Sequence, residues 1–169
     1  EAVSRFMQDT QAMNDRDDTA AVSKVNASRY DAVFLPGGHG TMWDLRQTPA
    51  VAKAVAAVYE QGGVVGAVCH GPAGLIEATL SDGTPLIKGR RINGFTNSEE
   101  RAAGLSDVVP YLLEDGLRAQ GAEFECGVED FCGFALRDDR IVTGQNPDSS
   151  AAVAEHMLSA LRDMDRAAA

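Results

Sequence analysis

A chain of 169 residues with a formal net charge of −10 can bury one good core but lacks the basic surface that tracks phosphates. Its lysines are Lys24, Lys53 and Lys88, and the nearest thing to a basic patch, Lys88 with Arg90 and Arg91, reads as solvation beside a strand. No apolar run approaches a membrane span of about 20 residues and the start lacks the order of a secretory signal, so nucleic-acid and membrane partners are not expected and a cytoplasmic setting is.

In chain order, Val3, Phe6 and Met7 stand at helical spacing and predict a helix over residues 1–14. A polar break over 14–18 and a short helix over 20–25 follow. Residues 30–35 (YDAVFL) form an apolar run closed by Pro36-Gly37-Gly38-His39-Gly40, the pattern of a buried parallel strand feeding a loop. Thr48 then offers a cap and Pro49 a first helical position. Val51, Val55 and Val58 share a face, and Gly62-Gly63 ends the helix. Residues 64–68 (VVGAV) make a second buried strand, followed by Cys69-His70-Gly71-Pro72-Ala73-Gly74 and a short helix carrying Leu75 and Ile76.

Beyond a turn at Ser81-Asp82-Gly83, residues 90–95 predict a third strand leading into Thr96-Asn97-Ser98-Glu99-Glu100. Val109, Leu112, Leu113 and Leu117 share a helical face, with Pro110 tolerable in the first turn. Residues 122–126 predict a strand, and 134–136 with 141–142 a hairpin around Asp138-Asp139. Val153, Met157, Ala160, Leu161 and Met164 mark a closing amphipathic helix. Strands alternating with helices imply a single α/β domain over residues 1–169, with a mostly parallel sheet covered on both faces. Chemistry is then expected at the C-terminal ends of the strands, where both glycine-rich loops fall.

Cys69 stands on the second of those loops. A nucleophile between a strand and a helix needs a strained backbone and small neighbours, and Ala67-Val68-Cys69-His70-Gly71 supplies them. Ala67 replaces the glycine of the stricter elbow pattern. Unpaired N–H groups at a helix start are expected to stabilise a Cys69 thiolate. Cys126 and Cys132 lack that setting and read as core or loop residues; three cysteines without disulfide or zinc spacing fit a reducing compartment. Of the three histidines, His70 adjoins the cysteine, His39 lies in the other strand-end loop within reach of the same crevice and is a substrate-binding candidate, and His156 reads as packing or surface on the closing helix. The N–H groups of His70 and Gly38 are the natural donors for an oxyanion.

FLPGGHG, AVCHGPA, GFTNSEE and VTGQNPDSS, in this order, resemble the ThiJ/PfpI (DJ-one-like) superfamily, and within it the branch of heat-shock chaperones and glyoxalase III proteins. The resemblance covers residues 30–161. It implies a flavodoxin-like three-layer sandwich, a dimer, and a reaction that needs no metal or organic cofactor. It makes Cys69 the nucleophile, His70 its partner and Glu100 the third member, with Glu99 one position away. On the residues alone, two glutamates at a helix start read as a solvated face. Members of this superfamily begin with a strand and helix whose loop supplies a glutamate to the cysteine. No matching βα unit stands here and Glu1 does not fill that role, so the domain reads as N-terminally incomplete and the working enzyme as containing more polypeptide.

The function implied is a glutathione-independent glyoxalase that turns a small aldehyde, methylglyoxal, into lactate, with His70 moving the proton between carbons. A cysteine hydrolase (amidase or peptidase) and a stress-induced holding chaperone or redox sensor are the alternatives. A glutamine amidotransferase is disfavoured because no glutamate stands two positions after His156, and a nucleotide site because neither glycine loop has phosphate-loop spacing.

Overall fold

The structure, a computed structural model, describes residues 2–168. Glu1 lies outside them. The opening helix is two helices: α1 (Ala2–Gln8) ends where Asp9 leaves helical geometry, and the Asp9 carboxylate caps α2 (Thr10–Asp17) by accepting from the Ala12 N–H. Helix therefore runs through the expected polar break up to Asp17. Phe6 and Met7, half exposed, do not form the buried face their spacing promised. Only a 3-10 turn (Val22–Lys24) occupies the short helix expected over 20–25, and a second such turn (Ala27–Arg29) follows.

The core begins at β1 (Ala32–Leu35). A short helix α3 (Thr41–Asp44) buries Met42, and α4 (Pro49–Glu60) turns Val51, Val55 and Val58 inward. Thr48 holds the cap position, but its hydroxyl donates to the Asp44 carbonyl instead of accepting from the helix. Strand β2 (Val64–Val68) is buried at every position. Because side chains alternate across a strand, complete burial means that both faces are covered. Met157 of the closing helix fills one face at Gly66, where no Cβ would fit.

The later elements are shorter than their sequence patterns. Among the described residues, strand β3 (Arg91–Ile92) pairs only with β4 (Glu123–Phe124), and α5 (Asn97–Ala102) follows β3. Residues 93–95 leave the ladder because their amides are used elsewhere: Asn93 donates to Thr143 Oγ1 and Phe95 to the Cys69 carbonyl. Helix α6 (Leu113–Ala119) begins after Pro110, with Leu112 in extended geometry as its cap. Proline disfavours helical geometry in the residue before it, so Val109 is buried but not helical. The hairpin is present as β5 (Ala135–Asp138) and β6 (Ile141–Gly144), its tight turn using a left-handed Asp139 with φ 54°. Helix α7 (Ser150–Ala168) closes the chain after a 3-10 turn at Pro147–Ser149.

The main sheet has the order β1-β2-β6-β5, parallel except for β5. With α4 against β1 and β2, and α7 against β2 and β6, this is the expected α/β sandwich. Strand β1 is an edge, and its Phe34 is 44% exposed. Of the basic triplet, Arg90 pairs with Asp138 and Arg91 with Glu125, while Lys88 is exposed. No described helix is long and apolar enough to cross a membrane.

Candidate active site

Parallel register brings three strand ends together. Leu35 lies beside Ala67 and Val68 beside Gly144, so the loops after β1, β2 and β6 open at the same edge. The chain after β3 joins them through the Phe95–Cys69 backbone bond of 2.9 Å.

Cys69 has φ 61°, a left-handed conformation that L-residues adopt at a cost of order 1–3 kcal/mol. Its N–H donates to the Gly144 carbonyl at 2.8 Å and its carbonyl accepts from Phe95, so the strained residue is pinned on both sides. Small neighbours are required here. A Cβ on Gly37 would meet the Cys69 Cβ at 2.6 Å, and one on Gly71 would overlap the Leu35 carbonyl oxygen.

The sulfur lies 3.3 Å from His70 Nδ1, and His70 Nε2 lies 2.8 Å from Glu100 Oε2. Since the carboxylate accepts, hydrogen sits on Nε2 and the Nδ1 lone pair faces the thiol. His70 is fully buried and Glu100 nearly so. The other carboxylate oxygen, Oε1, accepts from His39 Nε2 at 3.0 Å. The two imidazole centroids are 4.1 Å apart, and Phe95 packs on His70 at 4.5 Å.

Burial pushes the Cys69 thiol above the ordinary cysteine value, outweighing the N–H groups of Gly38 and His70 that face the sulfur and pull it down. This corrects the expectation of a stabilised thiolate. The helix after Cys69 is a five-residue 3-10 turn (Gly71–Leu75), too short to raise a useful dipole, and the sulfur is desolvated. Burial also holds His70 below the usual histidine range, with the nearby His39 adding to it and the Glu100 hydrogen bond opposing.

Glu99 is separate from this relay. It is fully buried, completes a capping box with Thr96, and also accepts from the Phe131 N–H, Gln145 Nε2 and Asn146 Nδ2. Burial raises its pKa, but hydrogen bonds from Gln145, Thr96, Asn146 and Phe131 win and hold it low. Neither glutamate is part of a solvated face, because α5 starts underneath the loops around Cys69 and not at the surface.

Among the described residues, His39, His70 and Glu100 form a cluster with metal-ligand chemistry, their ligand atoms within 4.8 Å of one another. Both carboxylate oxygens already take a ring N–H, so a cation would enter only by displacing those protons. Cys69, Gly38 and His39 line a cavity of about 580 Å³ together with Phe34, Phe95 and Phe131. The three phenylalanines were not singled out from sequence; Phe95 and Phe131 carry no local pattern, and Phe34 stands in an ordinary strand run. Cys126 and Cys132 are free and exposed in the loop between β4 and β5, and His156 is half-buried on α7 outside the cavity lining.

A profile of the DJ-1/PfpI family matches residues 10–160. The chain belongs to the DJ-1/PfpI family. It is 37% identical to Glyoxalase 3 of Candida albicans over 82% of this chain and 61% of that protein. It is 35% identical to the glutathione-independent glyoxalase HSP31 of Saccharomyces cerevisiae over 83% of this chain and 61% of that one. The chain thus spans about three-fifths of these relatives' length. Among solved structures, the Rapid Encystment Protein 24 kDa of Francisella tularensis superposes with a TM-score of 0.89 at 35% identity, covering 94% of this chain and 70% of that one. Glyoxalase III from Candida albicans superposes with a TM-score of 0.79 at 35% identity, covering 82% and 60%.

Proposed function

We propose that this domain carries the catalytic centre of a glutathione-independent glyoxalase, converting a small 2-oxoaldehyde such as methylglyoxal to the 2-hydroxy acid. The observation that carries this reading is the connected line Cys69–His70–Glu100, at 3.3 and 2.8 Å, with the Gly38 and His70 N–H groups facing the sulfur. The names of the relatives agree with it.

The roles follow from the chemistry. Because burial raises the thiol, Cys69 must lose its proton to His70 as sulfur attacks. The S–C1 bond forms, the carbonyl electron pair moves to oxygen, and that oxyanion rests on the Gly38 and His70 amides. His70 returns the proton to oxygen, giving a hemithioacetal. Loss of the C1 hydrogen as a proton leaves an enediolate; reprotonation at C2 and transfer of the hydroxyl proton from O1 to O2 give a lactoyl thioester. Water then cleaves the S–C1 bond, releasing lactate and the thiol with no oxidant consumed. Glu100 keeps His70 in the tautomer this sequence needs.

The cysteine-hydrolase alternative uses the same residues, so substrates must separate them. Full-length protein given methylglyoxal without glutathione, and separately a peptide amide, is expected to consume only the first. Amide cleavage with methylglyoxal untouched would transfer the assignment to a hydrolase.

A further inference from the structure

The enediolate route, on which this inference rests, moves two protons: one from C1 to C2 and one from O1 to O2, the oxygens on those neighbouring carbons. One imidazole is a poor agent for both. His70 Nδ1 lies 3.3 Å from Cys69 Sγ, which commits it to the thiol and to the oxygen formed beside it. We propose that His39 is a second catalytic base, the group that carries the carbon proton from C1 to C2, and that Glu100 serves both histidines at once.

Four observations support this assignment. Glu100 treats the two rings alike, holding His70 Nε2 at 2.8 Å on one oxygen and His39 Nε2 at 3.0 Å on the other. In each ring the carboxylate takes the Nε2–H and leaves Nδ1 as the basic atom, and no hydrogen bond among the described residues occupies the His39 Nδ1. His39 lines the cavity that Cys69 also lines. Finally, the rings differ in solvent access: the His39 side chain is 37% exposed and the His70 side chain 0%. A sealed ring suits a proton shuttled between sulfur and oxygen, whereas an open one exchanges its proton with water. The ring centroids are 4.1 Å apart, close enough for both bases to act on one bound substrate.

In balanced terms, His39 Nδ1 takes the C1 hydrogen as a proton, the C1–H electron pair becomes the C1=C2 bond, and the C2 carbonyl pair moves to O2. His39 then returns a proton to C2, while His70 passes the O1 proton to O2. Both rings end neutral.

The test compares full-length wild type with His39→Asn, and with His39→Gln, which keeps a longer donor toward Glu100 should the shorter variant fold poorly. Lactate formation is expected to fall by about 10²–10⁴-fold in both, the usual span for losing a general base. Alkylation of Cys69 by iodoacetamide is expected to stay within about two-fold of wild type. Lactate made by wild type in D2O is expected to carry deuterium at C2. Wild-type turnover in the variants, an equal loss of alkylation and turnover, or protium retained at C2 would each overturn the proposal. If wild type alkylates normally but makes no lactate, the glyoxalase reading itself falls and this inference with it, an outcome distinct from the other three.

Discussion

Glu99 and Glu100 are consecutive residues whose carboxylates enter different networks. Glu100 holds His70 and His39 at 2.8 and 3.0 Å, while Glu99 takes the Phe131 amide at 2.8 Å and the side chains of Gln145 and Asn146 at 3.0 and 2.8 Å. On a helix, neighbours point about 100° apart, and α5 uses that angle to split one acidic pair between catalysis and scaffolding.

The split makes their isosteric variants behave differently. Glu100→Gln is expected to lower lactate formation by about 10²–10⁴-fold, because the amide no longer holds His70 as a base. Its melting temperature should change little by comparison. Glu99→Gln sets an amide group against donors that need an acceptor, and is expected to cost about 1.5–3 kcal/mol in denaturant unfolding. Equal effects of both variants on stability would contradict the division.

The left-handed backbone at Cys69 gives a second prediction. Both Cys69→Ala and Cys69→Gly remove the sulfur, but only glycine accepts φ 61° without a Cβ penalty. The glycine variant is expected to be the more stable by about 1 kcal/mol, against the usual destabilising effect of glycine. A more stable alanine variant would mean that the elbow is not strained.

Gly71 is packed against the end of β1 so closely that a Cβ has no place beside the Leu35 carbonyl. That obstacle is backbone, so it cannot yield by changing rotamer. Gly71→Ala is expected to lose about 1–3 kcal/mol and to displace Cys69 relative to Gly38, seen as a fall in Cys69 alkylation. Unchanged stability and alkylation would show that the two strand ends are not held together here.

The pH dependence follows from the directions at His70 and Cys69. Because His70 in the folded protein lies below its unfolded value of about 6.5, the unfolded chain binds the extra proton between those two values, and folding stability falls as pH drops through that window. Cys69 lies above its unfolded value of about 8.5, so the folded protein keeps a proton that the unfolded chain releases, and stability falls as pH rises past that point. Denaturant midpoints of wild type relative to His70→Asn at acid pH, and to Cys69→Ser at alkaline pH, read the two contributions separately. Opposite slopes would contradict the burial of these groups.

Much of this site is legible in sequence because its parts are local. The run VVGAV followed by Cys69-His70-Gly71 announces a buried strand and a tight turn, and Pro36-Gly37-Gly38-His39 announces the loop beside it. What stayed hidden depends on distant partners. Glu99 is held by residues 32, 46 and 47 positions further on, so nothing near it distinguishes a buried hub from a solvated helix start. The strand expected over 90–95 stops at Ile92 because Cys69 and Thr143 claim the next amides. The upward push on the Cys69 thiol was likewise invisible, since burial of the sulfur is a property of the assembled loops.

The most direct test is lactate formation from methylglyoxal, without glutathione, by the reduced full-length protein and its Cys69→Ala variant. Lactate from the wild type and none from the variant is the predicted result, and places the chemistry on Cys69. Equal lactate from both, or none from a folded wild type whose Cys69 still reacts with iodoacetamide, would contradict it.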